Sequence, residues 1–220
     1  MHGVNIVDTT QSRAYRSPRR QAQAEATRAA ITRAAARLFA DRGYAGTTMQ
    51  AIADEAGVAV ESVYKAGSKA QLLRRAHDEA VAGDDRPIPL LERDELRAAF
   101  AEDDQRALIR AFARAIAGRA RTLTPLSSAF VQAAGADPAI GATWEELEAQ
   151  RRIDMGRLVE AVAARGPLRD GLTVDRGTTL LWTVLNHQAG WLITQQLGWS
   201  DEQVADWIVE LLTCLLLPSA

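Results

Sequence analysis

Cysteine occurs once in the 220 residues, at Cys214, so no intrachain disulfide can staple the fold and a reducing, cytoplasmic compartment is expected. Long apolar runs are also missing. Nothing approaches the ~20 residues of a membrane span, and the longest late candidate, Leu211–Leu217, is interrupted by Thr213 and Cys214. The N-terminus carries Asp8, Arg13, Arg16, Arg19 and Arg20 with no apolar segment among them, so no secretory leader is expected. The three histidines, His2, His77 and His187, are scattered. No H-x-x-x-H or C-x-x-C spacing, no G-x-G-x-x-G and no Walker loop occurs. No metal, cofactor or catalytic residue is therefore expected. Cys214, in Leu-rich surroundings, reads as an inert buried thiol. Asp84-Asp85 reads as a solvated turn.

What is present is an ordinary globular composition, 47% hydrophobic and 25% charged, with an uneven charge distribution. Residues 1–82 hold 12 Lys/Arg against 8 Asp/Glu, and the remainder 14 against 20, giving +4 and −6, which together make the −2 of the chain. A basic head on an acidic body suits a protein that presents one end to phosphates.

Residues 1–21 lack apolar periodicity and read as a flexible basic arm, either a DNA-contacting segment or a leader without a role. Ile31, Ala35, Leu38 and Phe39 then form one helical stripe, predicting a first helix over Gln21–Arg42 that Gly43 ends as a C′ glycine. Either threonine of Thr47-Thr48 can cap the next helix, and Thr47 with Gln50 fits a capping box. Met49, Ile52, Ala53 and Ala56 predict a second helix, Met49–Ala56, and Gly57 permits a tight turn. A short third helix, Ala59–Lys65, buries Val60 or Val63 with Val58. Gly67-Ser68 precedes a fourth helix, Lys69–Ala82, with Leu72, Leu73 and Ala76 inward. After a turn-rich linker, Gly83–Pro89, helices are expected over 92–101, 104–120, 124–134, 138–165, 174–197 and 201–216, with breaks at Thr124-Pro125, Asp137-Pro138 and Gly166-Pro167. The expected fold is all-α: a three-helix helix-turn-helix head over 22–68, and a C-terminal helical bundle over 69–220.

Two short helices joined by Gly57 and braced on a longer one form a helix-turn-helix, whose second helix can enter a major groove about 12 Å wide. The stretch Ala34–Leu73, with Phe39, Gly43, Tyr44, Thr47-Thr48, Ile52-Ala53, Ala56-Gly57-Val58, Val63-Tyr64 and Ser68-Lys69, resembles the DNA-binding domain of TetR-family repressors. Leu181-Trp182, and Gly198-Trp199-Ser200 before a Trp207-containing last helix, extend the resemblance more loosely. It implies double-stranded operator DNA as partner, with Thr47 or Thr48, Tyr64 and Lys69 on phosphates. Val60, Glu61, Ser62 and Lys65 would be the base readers; a carboxylate can accept from cytosine N4 and a lysine can donate to guanine. Glu61 could instead merely solvate its helix. One departure stands out. The family pattern Tyr-x-x-Phe-Gly-x-Lys is here Tyr64-Lys65-Ala66-Gly67-Ser68-Lys69, one residue short and without the aromatic. That aromatic would wedge the recognition helix in place; its loss could loosen helix 3 or shift helix 4 by part of a turn, with DNA binding expected to survive. The alternative it leaves open is a helical ligand-binding or interaction protein with weakened or lost DNA recognition.

The 174–197 segment is apolar almost all round, and such a helix must be buried on every face, which a homodimer explains economically. The family resemblance likewise implies pairing of the last two long helices, here with Trp182, Leu185, Leu192, Trp207 and Leu211 as the interface. It also implies a small-molecule pocket that controls DNA binding. A polar stripe of Thr183, Asn186, His187, Gly190 and Thr194 could face the effector, or could cross the dimer interface where Gly190 allows close approach. Phe112, Phe130, Trp144 and Met155 could form pocket walls or ordinary core. Few charges interrupt the apolar stripes, so the effector is expected to be mainly apolar.

Overall fold

The computed structural model describes residues 18–83 and 90–219; the expected arm, apart from its last four residues, and the linker segment 84–89 with its acidic pair lie outside the described residues. Those last four residues open α1 (Pro18–Gly46), whose stripe Ile31, Ala35, Leu38 and Phe39 is buried as the spacing predicts. Gly43, at φ 67° and ψ 179°, breaks the helix where a C′ glycine was expected. α2 (Met49–Ala56) ends in a left-handed Gly57, and α3 (Val60–Ala66) buries Val63 completely. Gly67 (φ 148°) turns the chain into α4 (Lys69–Ala82), which Ser68 and Gln71 open as a reciprocal capping box. A Cβ at Gly67 would lie 2.9 Å from the capping Gln71 Oε1, so backbone angle and space both demand glycine here.

A 3-10 turn (Leu90–Glu92) leads into α5 (Asp94–Phe100), then α6 (Gln105–Ala134) and α7 (Pro138–Ala163), the last started by Asp137 with proline in the first turn. α6 corrects the expectation of a break at Thr124-Pro125, for it runs straight through Pro125. Proline removes the N–H that would bond the carbonyl four residues back, that of Arg121. Gln195 Nε2 donates to that carbonyl at 3.2 Å, and the Arg121 guanidinium donates in return to Trp199 O at 2.6 Å. A tertiary contact thus replaces the missing helical bond, while Leu126, Ala129 and Phe130 bury the turns beyond.

The opposite correction applies to 174–197, expected as one helix. α8 (Val174–Val184) stops at Leu185 (ψ 43°), α9 (His187–Trp191) follows, and a π turn (Leu192–Gln196) leads to α10 (Asp201–Leu216). Asn186 makes the break. Its Oδ1 accepts from Ala189 N at 2.9 Å and its Nδ2 donates to Thr183 O at 2.7 Å. Arg151 donates to the freed carbonyls of Trp182 (3.0 Å) and Leu185 (3.3 Å), a cation where the helix C-terminus favours one. Cys214 lies exposed on α10 rather than buried.

Two apolar clusters result. The head cluster joins Ile31, Phe39, Ile52, Val63, Leu72 and Leu73 to Leu126, Phe130 and Ile140. The body cluster gathers Leu108, Ile109, Phe112, Leu158, Leu181, Val204 and Leu212. α6 contributes to both. Gly190 brings α9 against α6 rather than against a second chain: a Cβ there would meet Thr124 Cγ2 at 2.6 Å. Gly190→Ala is expected to cost about 1–3 kcal/mol in urea denaturation. Adding Thr124→Ser, which removes the obstructing methyl and keeps the hydroxyl, should recover most of that loss. Independent, additive losses would contradict the contact.

Candidate nucleic-acid interface and effector cavity

The turn before α2 separates the two threonines. Thr48 is exposed and is the N-cap, its side chain accepting from Ala51 N at 3.1 Å, so its hydroxyl hydrogen remains available for a phosphate oxygen at the helix N-terminus. Thr47 is fully buried and donates to Gly43 O (2.8 Å) and Leu38 O (3.1 Å). This corrects the expectation for Thr47: its hydroxyl clasps the break in α1 and does not reach DNA. The Thr47–Gln50 capping box does not form either, because Gln50 bonds Asp54 at 2.8 Å.

On α3, Glu61, Tyr64 and Lys65 are exposed, Tyr64 to 65% despite its ring, and Ser62 is half-buried. Glu61 in the first turn and Lys65 in the last both suit the helix dipole. Val60 is half-buried against the head cluster, which turns it from the outward face and narrows the expected readers to Glu61, Ser62 and Lys65. The short exit leaves α3 closed and α4 packed on the head. Gly67 N bonds Val63 O at 3.2 Å, and Leu72 and Leu73 are fully buried. Tyr44 stacks on Phe39 at 5.8 Å, and Lys69 Nζ lies 4.2 Å above the Tyr44 ring. Burial lowers the Lys69 pKa; burial first, and Asp137 second, raise that of Tyr44.

Behind the head, α4, α6, α7, α9 and α10 enclose a cavity of about 1020 Å³. Its apolar walls include Leu90, Leu91, Phe112, Ile116, Leu123, Met155, Leu185, Ile193, Trp207 and Ile208. Of the expected pocket residues, Phe112, Met155, Asn186 and His187 line it. Phe130 and Trp144 stack on each other at 5.8 Å in the layer behind, with His77 edge-on to both and His187 edge-on to Trp144. Thr183 is exposed and bonds back to Thr179 O, so it belongs to no wall. The helix break splits the supposed polar stripe: Asn186 and His187 face the cavity, while Thr194 is buried against Thr124 at 3.3 Å.

The expected dimer residues divide in the same way. Leu192 is exposed and Leu211 half-buried, but Leu185 and Trp207 line the cavity, and Trp182 is half-buried with Arg151 and Arg152 over its ring at 5.5 and 5.8 Å. Exposed Trp191 and Leu197 flank Leu192 in the chain.

Sequence reasoning passed over His77, Ser127, Arg75 and Arg151 as cavity residues. For His77 a signal existed, since it shares the buried face of α4 with Leu73, Ala76 and Ala80. Its Nε2 lies 3.3 Å from Ser127 Oγ. Burial, then the Arg74 charge, push its pKa from 6.5 down to about 4, with Glu148 opposing and His187 adding to the fall. The unfolded chain therefore takes up this proton at higher pH than the folded one, and stability present above pH 6.5 is lost as the pH falls towards 4. Between pH 7 and 4 the wild type should lose on the order of 3 kcal/mol more than His77→Gln in urea titrations; parallel curves would contradict a neutral buried His77.

Residues 31–76 match the family of bacterial regulatory proteins described as tetR family. No curated protein matches the chain in sequence. Solved structures match its fold. A candidate TetR-family transcriptional regulator of Mesorhizobium loti superposes with TM-score 0.61 at 19% identity, over 88% of this chain and 98% of that one. The TetR-family regulator PfmR of Thermus thermophilus gives 0.60 at 19%, over 86% and 95%. The ketosteroid transcriptional regulator KstR2 of Mycobacterium tuberculosis gives 0.59 at 18%, over 87% and 95%. Among the described residues no helix is long and apolar enough to cross a membrane. Residues 31–76 thus carry a helix-turn-helix of the tetR family, and the body behind it has the fold of solved TetR-family transcriptional regulators.

Proposed function

We propose that the chain is a cytoplasmic, homodimeric repressor that holds operator DNA through α2 and α3 and is released when a small, mainly apolar effector enters the cavity. One observation carries this reading: α4 is shared by both parts. Its Leu72, Leu73 and Ala76 complete the head cluster, while Arg74, His77 and Asp78 line the cavity. A ligand that prefers one position of α4 therefore biases how α3 is presented, through its differential affinity for the two arrangements. The division into a head over 22–68 and an effector and dimerisation body over 69–220 follows the same logic.

Exposed Glu61, Tyr64 and Lys65 beside the Thr48 cap are the DNA-facing set, with Lys69 on the flank. The exposed Trp191, Leu192 and Leu197 favour a self-association surface at the α9–α10 junction, since adjacent large apolar side chains left to solvent mark interfaces. The intact, Gly67-closed α3 weighs against lost DNA recognition.

Fluorescence anisotropy on duplexes from the DNA flanking the coding sequence tests the proposal. The wild type should show a salt-sensitive, sequence-specific component. Lys65→Ala should weaken the specific duplex by about tenfold, on the scale of a lost base contact of ~1–3 kcal/mol. Lys69→Ala should weaken all duplexes alike and reduce the salt slope by about 1. Equal affinity of the wild type for every duplex would refute the repressor reading.

A further inference from the structure

Five arginines line the cavity: Arg74, Arg75, Arg119, Arg151 and Arg157. Four have carboxylate partners. Arg74 pairs with Asp78 (3.1 Å) and Glu146 (3.4 Å), Arg119 with Glu95 (2.9 Å), Arg151 with Glu148 (2.7 Å), and Arg157 with Asp154 (3.6 Å). Arg75 has no carboxylate within ion-pair distance among the described residues. Its Nη2 donates to the carbonyl of Ala66, the last residue of α3, at 3.3 Å, and its Nη1 is buried with no protein partner among them.

Two further lining residues hold buried nitrogens without a protein partner, Arg119 at Nε and His77 at Nδ1; no side-chain oxygen among the described residues is buried in that condition. Guanidinium nitrogens can only donate, so the complement they require is an acceptor oxygen. A planar guanidinium fork fits the two oxygens of a carboxylate, in charge-assisted bonds stronger than one to a neutral carbonyl. Asp78, Glu79, Glu146, Glu148 and Asp154 also line the cavity, but among the described residues none of them pairs with Arg75, and His77 is neutral near pH 7.

We infer that the cavity receives an apolar molecule bearing a single carboxylate, whose oxygens pair with Arg75 and draw its guanidinium from the closing carbonyl of α3. This deepens the proposed function and rests on its assignment of the cavity as the effector site. Ligand binding would then act on the recognition helix at one named hydrogen bond. The bond sits at the exit from α3, where this chain is one residue shorter than the TetR-family pattern and lacks its aromatic.

Decanoate and decan-1-ol, alike in chain length and different in charge, are the probes. Binding to the full chain is followed by calorimetry at pH 7. The wild type should bind decanoate at least about tenfold tighter than decan-1-ol, about 1.4 kcal/mol. Arg75→Gln, which keeps a donor for Ala66 O, should bring the two within about threefold, whereas Arg157→Gln, altering an arginine already paired, should retain the wild-type preference. Decanoate should also weaken wild-type binding to the specific duplex by about tenfold and leave that of Arg75→Gln unchanged. Wild-type binding of the alcohol as tightly as the acid, or an acid preference that survives in Arg75→Gln, overturns the carboxylate assignment and leaves the cavity a ligand site. Binding of neither probe to the wild type overturns that assignment and also counts against the cavity as effector site. A lack of specific DNA binding would count against the repressor reading alone.

Discussion

The burial of α6 is the constraint on which the other elements depend. One face of this 30-residue helix enters the body cluster through Leu108, Ile109 and Phe112, and the head cluster through Leu126, Ala129 and Phe130. Between these stretches Ile116, Leu123 and Thr124 line the cavity. The helix continues across Pro125, with Gln195 taking over the Arg121 carbonyl and the buried Leu126, Ala129 and Phe130 holding the turns beyond. That contact places the π turn beside α6, and Gly190 makes the approach sterically possible. The bent path from α8 to α10 and the open space it leaves are consequences of the same packing.

Under the proposed function, such an arrangement would give a ligand in the cavity mechanical access to the head. Packed interiors respond to added volume by moving whole elements between discrete arrangements. α4 is the element with both attachments, bound to α7 by the Arg74–Glu146 pair and to α1 and α6 by its apolar face. The Arg74–Glu146 pair is well exposed, so it contributes little rigidity, whereas the apolar contacts with the head are fully buried. α4 also meets α7 through His77, edge-on to Trp144 at 6.1 Å, and through Ile140 in the shared cluster, so its apolar contacts and not its ion pair fix its position. The head should follow α4 as a unit.

Much of the head was legible from spacing alone. The 3.6-residue stripes and the glycines at 43, 57 and 67 placed α1 to α4 within a few residues, because local propensity and tertiary burial agree there. Legibility ended where tertiary contacts overrode local signals. Pro125 looked like a stop and is not one, since its orphaned acceptor is met by a residue 74 positions away. Asn186 looked helical and is a cap, because Arg151 satisfies the carbonyls that the break releases. Thr47 and Thr48 could not be told apart before the Gly43 turn buried one of them. The polar lining of the cavity was unreadable for a similar reason: whether an arginine is paired depends on elements far away in the chain. The head core also takes in Leu72 and Leu73 from α4 and Leu126 and Phe130 from α6, which no stripe within residues 22–68 reveals. A head of so few residues buries too little surface to stand alone.

The central claim is that two copies of α3 lie in successive major grooves under the control of the body. Hydroxyl-radical footprinting of the full chain on its flanking DNA tests this most directly. Two protected tracts related by a dyad, with centres about one helical turn (~34–36 Å) apart or a multiple of it, are the predicted result. A single unpaired tract, or uniform protection without boundaries, would contradict it.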